Sequence, residues 1–351
     1  MKKSLFFACI ATLGLSACYK AETVVTEQPQ EIAFKAISSN ATRADAQLEG
    51  TLLNKTYSIY ASATQKDPYG VIENPSFFVD QQFQTEDATV SATSQYRAWS
   101  GTAAAPIYWP LGGASIDFLA YAMPTKSTDN PVLVAEYPNG DTAVATKVVF
   151  KNWDTYANQV DLLYAANNVA KSPSNGAANS VKLSFNHAQA LLVFQARVKN
   201  ADEDSEYSID DVITINSITI NGLLVKGTFS VDNSNNELVA SWSDLATVDG
   251  ENVVLAGVDS AADNLGEGLK ATEDFVQVGS TILVPEQSRL NFVINYTMDG
   301  KTMNYAYNDA RGTWEMGKKY IYKLDMTLSE IILTEDVKDF VDGEEPELPL
   351  N

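Results

Sequence analysis

Residues 290–307 read LNFVINYTMDGKTMNYAY. Two runs rich in β-branched and aromatic residues, 290–297 and 302–307, flank Asp299-Gly300. Asp-Gly supplies the positive φ that a tight type I′ turn needs, so this stretch predicts a β-hairpin. A second signal of the same kind, Asn221-Gly222, stands between Ile218-Thr219-Ile220 and Leu223-Leu224-Val225. Outward from these hairpins the rhythm repeats. Strand-like segments occur at 32–36, 57–61, 116–121, 147–150, 160–164, 181–185, 190–198, 213–220, 225–231, 275–284 and 319–328. Sustained helical periodicity is missing almost everywhere. Short strands spaced about ten residues apart predict an all-β chain built as two antiparallel β-sandwiches in tandem. The Ser-, Asn- and Ala-rich stretch 171–180 (KSPSNGAANS) reads as the linker between them.

The 351 residues suit two domains, and 45% hydrophobic with 20% charged residues is a globular composition. The formal net charge of −21 argues against nucleic acid as a partner, because phosphate binding needs clustered Lys and Arg. With a single His, most His-based catalysis and His-containing metal sites are excluded.

The first residues set an address. Lys2 and Lys3 precede an apolar run, Leu5 to Leu15, too short to span a bilayer and right for an export signal. It ends in Leu15-Ser16-Ala17-Cys18, which resembles a lipoprotein lipobox, so residues 1–17 are expected to leave and Cys18 to carry lipid. Cys9 leaves with the signal, so no disulfide is expected. Acyl chains contribute about 0.8 kcal/mol per buried CH2, enough in number to anchor the chain to a membrane.

Catalytic signatures are sparse. His187 stands alone in Ser184-Phe185-Asn186-His187-Ala188 and reads as a strand or bulge residue with one hydrogen bond. Gly266-Glu267-Gly268-Leu269-Lys270-Ala271 fits a dinucleotide pattern, but no strand-then-helix unit surrounds it. Asp232-Asn233-Ser234-Asn235-Asn236-Glu237 lacks the glycine of a calcium loop and reads as a polar hairpin turn. Nothing supplies a nucleophile–base pair or a metal set, so no enzyme activity, metal or cofactor is expected.

One ordered set of patterns is informative. It runs from the lipobox through Ile32-Ala33-Phe34, Ala41-Thr42-Arg43-Ala44, Trp99-Ser100-Gly101 and Ile107-Tyr108-Trp109-Pro110 to Ile116-Asp117-Phe118-Leu119-Ala120-Tyr121. Asp161-Leu162-Leu163-Tyr164-Ala165, Val181-Lys182-Leu183-Ser184-Phe185-Asn186-His187-Ala188, Ile282-Leu283-Val284-Pro285 and Trp314-Glu315-Met316-Gly317 follow. The set resembles the fimbrillin-like (Mfa-like) lipoproteins that build type V pili of Bacteroidales. Tyr108-Trp109-Pro110 also reads as a strand end whose two rings cap a sandwich.

The resemblance implies two tandem transthyretin-like domains and a lipid-anchored precursor. It implies cleavage by an arginine-specific protease after Arg43, between Arg43 and Ala44, which would release the lipid and a first strand at residues 31–37. A strand from a neighbouring subunit would then fill the vacated groove. The donor would be the C-terminal stretch, with Leu328, Ile331, Ile332, Leu333, Val337 and Phe340 as its apolar residues. The expected division is a signal at 1–17, a lipidated segment with the removable strand at 18–43, and sandwiches at 44–175 and 176–328. A donor segment and acidic tail would occupy 329–351. Partners would be other pilus subunits and the protease, at the outer membrane and then the cell-surface fimbria. The alternative is a surface lipoprotein that binds glycans for nutrient uptake through exposed aromatics, with Tyr57, Tyr60, Tyr96, Trp99, Tyr156 and Trp242 as candidates.

Overall fold

Asp299 and Gly300 adopt φ of 49° and 72°, and they close an antiparallel hairpin paired from Phe292↔Tyr307 to Met298↔Lys301. The computed structural model of the chain describes residues 31–38, 57–84, 97–101, 106–110, 115–124, 135–136, 145–169, 180–199, 213–248, 252–256, 268–269, 274–308, 311–327 and 331–340. These residues form β-strands joined by turns, with one helical turn at Thr155–Asn158 capped by Asp154. Cys18, Arg43, Ala44 and Leu328 lie outside the described residues, as do 170–179 of the expected linker.

The strands longer than two residues begin with β1 (Ala33–Ser38), β2 (Tyr57–Lys66), β3 (Ile72–Gln84), β4 (Arg97–Gly101), β5 (Ser115–Pro124), β6 (Lys147–Asp154), β7 (Leu163–Val169) and β8 (Ser180–His187). All but β6 close a barrel in the order β1-β4-β3-β2-β5-β7-β8. Its interior is filled by Ile32, Phe34, Ile59, Phe83, Phe118 and Phe185, each at most 1% exposed.

The later strands are β9 (Ala190–Val198), β10 (Ile213–Ile220), β11 (Leu224–Asp232), β12 (Val239–Thr247), β13 (Val253–Ala256), β14 (Ile282–Val284), β15 (Phe292–Met298), β16 (Lys301–Tyr307), β17 (Lys318–Met326) and β18 (Ile331–Asp339). One sheet runs β9-β17-β18, with β14 also pairing β9, and the facing sheet runs β13-β10-β15-β16. Between them lies a second core built on Phe194, Ile215, Ile218, Phe292, Trp314 and Tyr322. Trp314 is fully buried and donates its Nε1 hydrogen to the Tyr322 hydroxyl at 2.8 Å.

The all-β class expected from the strand rhythm is what the chain adopts, with four corrections to its detail. First, the sheets are not purely antiparallel, since β1 runs parallel to β8 and β9 parallel to β17. Parallel partners need a long connection, so no local turn signal announces them. Second, Asn221-Gly222 is not a hairpin turn. Only Gly222 takes positive φ, and β10 and β11 enter different sheets.

Third, the expected division at 175/176 does not fall on a sheet boundary. β8 completes the barrel, and the chain crosses to the second core at Ala188-Gln189. A further sheet, β12-β11-β6, pairs strands from both halves. It covers the outer face of β2 and β5, which explains why Tyr60, Leu119 and Tyr121 are buried beside inward neighbours. Fourth, only one of the two rings in Tyr108-Trp109 is buried. Trp109 is 4% exposed and edge-on to Phe118, whereas Tyr108 is 46% exposed.

Candidate functional site

The features that stand out are the two strands nearest the chain ends. β1 is short, and its sequence, AFKAIS, is preceded by Ile32. Ile32 and Phe34 share one face by the period of two, and both are fully buried. The Phe34 ring stands edge-on to Phe83 (centroids 4.6 Å) and to Phe118 (5.3 Å). Burying each of these two side chains contributes about 1.5–3 kcal/mol before ordering costs. β1 lies between two strands, with six residue pairs to β8 from Ala33↔Ser180 to Ser38↔Phe185. Its four pairs to β4 run from Ala33↔Ser100 to Ala36↔Arg97. Its start is pinned by Ile32 N–H donating to the Ile107 carbonyl at 2.7 Å. The barrel is therefore closed only through β1.

Among the described residues β18 is an edge strand, paired antiparallel to β17 from Met326↔Ile331 to Lys318↔Asp339. Of the expected donor residues, Ile331 and Leu333 pack against the second core. Ile332 and Val337 are 48% and 47% exposed and stand on opposite faces of the strand. Phe340, just past the strand, is 3% exposed and packs with Leu191, Val193, Leu283 and Ile321. The set therefore does not form one apolar stripe.

The acidic residues of β18 are gripped by cations of its own half. Arg289 binds Glu335 at 2.6 Å, Lys318 binds Asp339 at 2.6 Å, and Lys323 reaches Asp336 at 3.5 Å. The Asp339 hydrogen bond holds the Lys318 ammonium pKa above its ordinary value. On the neighbouring β17, Asp325 accepts from Arg197 and pairs with Lys199, and the Arg197 hydrogen bond holds its carboxyl below the usual range. Sequence reading missed these grips, because they depend on the register that sets Lys318 opposite Asp339 and Lys323 opposite Thr334, two residues from Asp336.

His187 has more partners than the expected single hydrogen bond. Its Nδ1 lies 2.9 Å from both carboxylate oxygens of Asp161, and its ring stacks on Phe340 with centroids 3.8 Å apart. Gly268-Leu269 of the dinucleotide-like stretch pair with Ile213-Thr214 as a short strand. Residues 232–237 form the turn between β11 and β12, and no cluster able to hold a metal occurs among the described residues. Of the aromatics named as glycan-binding candidates, the described ones do not form one exposed platform. Tyr57 and Tyr60 are buried, and Trp242 donates to the Ala188 carbonyl at 2.6 Å. Tyr156 is 38% exposed, Tyr96 lies outside the described residues, and the Trp99 side chain is not described.

The described residues define an all-β scaffold whose notable features are its strands. The chain belongs to the fimbrillin-like family, which it matches over residues 42–339. No curated protein matches it. Among solved structures, a fimbrial protein from Bacteroides vulgatus is similar at 14% identity and TM-score 0.55, covering 89% of this chain and 99% of that one. A protein from Bacteroides uniformis is similar at 15% identity and TM-score 0.51, covering 89% and 99%. At such identities the likeness is one of fold.

Proposed function

We propose that this protein is a structural subunit of a cell-surface pilus that supports adhesion. On this reading it is exported as a lipoprotein through Cys18, matured by an arginine-specific protease cutting between Arg43 and Ala44, and polymerised by strand exchange. The observation that carries the reading is β1. With Ile32 just before it, it supplies two fully buried side chains and closes a barrel, yet it precedes the candidate cleavage site in a small, polar stretch. Its loss would strip the backbone partners from β4 and β8, and unpaired strand edges recruit strands. The family match begins at residue 42, after β1. The donor on this reading is the segment 328–340, whose Ile331 and Leu333 repeat the two-residue spacing of Ile32 and Phe34. The same segment must leave β17 to be donated. Its partners are further pilus subunits.

The test uses recombinant chain starting after Cys18. It is treated with an arginine-specific protease, its new N-terminus is sequenced, and it is run unboiled on a denaturing gel. The expected result is a single cut after Arg43 and a ladder of heat-sensitive multimers, abolished when residues after Leu328 are deleted. A cut without a ladder rejects strand exchange, and resistance at Arg43 rejects the maturation step.

A further inference from the structure

Phe340 sits where three elements meet. Its backbone N–H donates to the Gly317 carbonyl at 2.8 Å, and its ring lies nearly parallel to the His187 imidazole, at 17°. His187 is the only histidine of the chain and the last residue of β8. It is 2% exposed, and the Asp161 carboxylate that receives its Nδ1 hydrogen is fully buried. The backbone carbonyl of Asp161 accepts in turn from the Tyr57 hydroxyl of β2 at 3.1 Å. The imidazole is thus fixed in the barrel by a chain of buried hydrogen bonds, and the ring it supports belongs to the C-terminal segment. The rest of that segment, though paired to β17 and held by three ion pairs, has a strand neighbour on one side only among the described residues. β18 is an edge strand, and Ile332 and Val337 turn to solvent. Strand edges of this kind open locally unless something anchors their ends.

We propose that the Phe340–His187–Asp161 stack is a clasp. It restrains the C-terminal strand on its own sheet by fastening its far end to the barrel. Asp161 acts as a positioning residue that orients the imidazole, and His187 provides the flat buried face against which Phe340 lies. The clasp also stands on the strand that carries β1, since β8 pairs with β1 over 180–185 and presents His187 two residues later. That the restraint governs donation of the strand to another copy rests on the function proposed above.

The restraint is measurable without protease or assembly, by amide hydrogen exchange of residues 331–339 in the unprocessed chain. Phe340→Ala and His187→Asn are expected to speed that exchange about tenfold or more, with β15 and β16 of the same half unchanged. The Asn side chain can still donate to Asp161 but offers no ring, whereas Phe340→Tyr keeps the ring and is expected to exchange like the parent. Unchanged exchange at 331–339 in both Phe340→Ala and His187→Asn overturns the clasp. So does acceleration spread equally over β15 and β16, which would mark general destabilisation. Running the protease-treated variants on the same gel separates the two ideas. Faster exchange with no multimers in any variant upholds the clasp and rejects strand donation. Multimers with no change in exchange reject the clasp alone.

Discussion

Phe34 is the residue on which the barrel turns. Its ring fills the space between Phe83 and Phe118, so Phe34→Ala leaves a cavity that rigid strands cannot close. The expected loss is about 3–5 kcal/mol in urea unfolding of the unprocessed chain. A chain starting at Ala44 lacks the residue and the strand, so it should be less stable than the parent until an added peptide of sequence EIAFKAIS restores it. A second expectation concerns Asp325, whose carboxyl is held below its ordinary pKa by Arg197. A depressed carboxyl stabilises above its unfolded pKa of about 3.9 and loses that contribution as pH falls through the lower folded value. The thermal midpoint of the parent should therefore drop more between pH 5 and pH 3 than that of Asp325→Asn. The difference should correspond to about 1 kcal/mol, because the pair is only about 20% exposed. Equal drops would show that the β9–β17 pair does not depend on it.

Among the strands, legibility followed sequence distance. Asp299-Gly300 joins adjacent partners, so four residues of turn chemistry suffice to place β15 against β16. Asn221-Gly222 carries the same chemistry, yet Ile220 and Leu223 on either side both enter the second core. There the turn moves the chain between sheets, and a dipeptide does not encode which sheet follows. The parallel pairs were invisible for the same reason. β1 and β8 meet across more than a hundred residues, and what rewards the pairing is the ladder itself and burial of Ile32 and Phe34 in the core that holds Val181 and Leu183. The C-terminal strand was legible as an apolar run but not as an edge. Its alternate faces separate Leu333 from Ile332, which composition alone cannot do. Gly227 in β11 was not singled out at all. A Cβ there would meet Leu245 Cδ2 at 2.7 Å and the Ser243 carbonyl oxygen at 3.1 Å. Gly227→Ala should therefore strain the β11–β12 pair and lower stability by about 1–3 kcal/mol, read as an earlier thermal transition.

The sheet β12-β11-β6 joins the two halves, because β6 belongs to the first and β11 to the second. Phe229 of β11 is fully buried among Phe150, Tyr164 and Trp242, which come from both sides. Unfolding of either half should therefore expose part of the other's support. Charge acts on the assembled whole as well. A chain beginning at Ala44 keeps 19 basic and 42 acidic residues, a formal charge of −23. Copies of such a chain repel one another across solvent at low ionic strength, where the screening length is about 30 Å at 0.01 M against about 8 Å at 0.15 M. The ion pairs that hold β18 to its own half weaken over the same range. Both effects favour exchange between copies at higher salt, so multimer formation after protease treatment should be slower at 0.01 M than at 0.15 M sodium chloride. Lys318→Gln removes one grip on β18 and makes each copy more negative. If release of the strand limits assembly, the variant should be faster than the parent at 0.01 M, and if repulsion limits it, slower. A rate that falls as salt rises would instead place attractive charge pairs between the copies and reject both accounts.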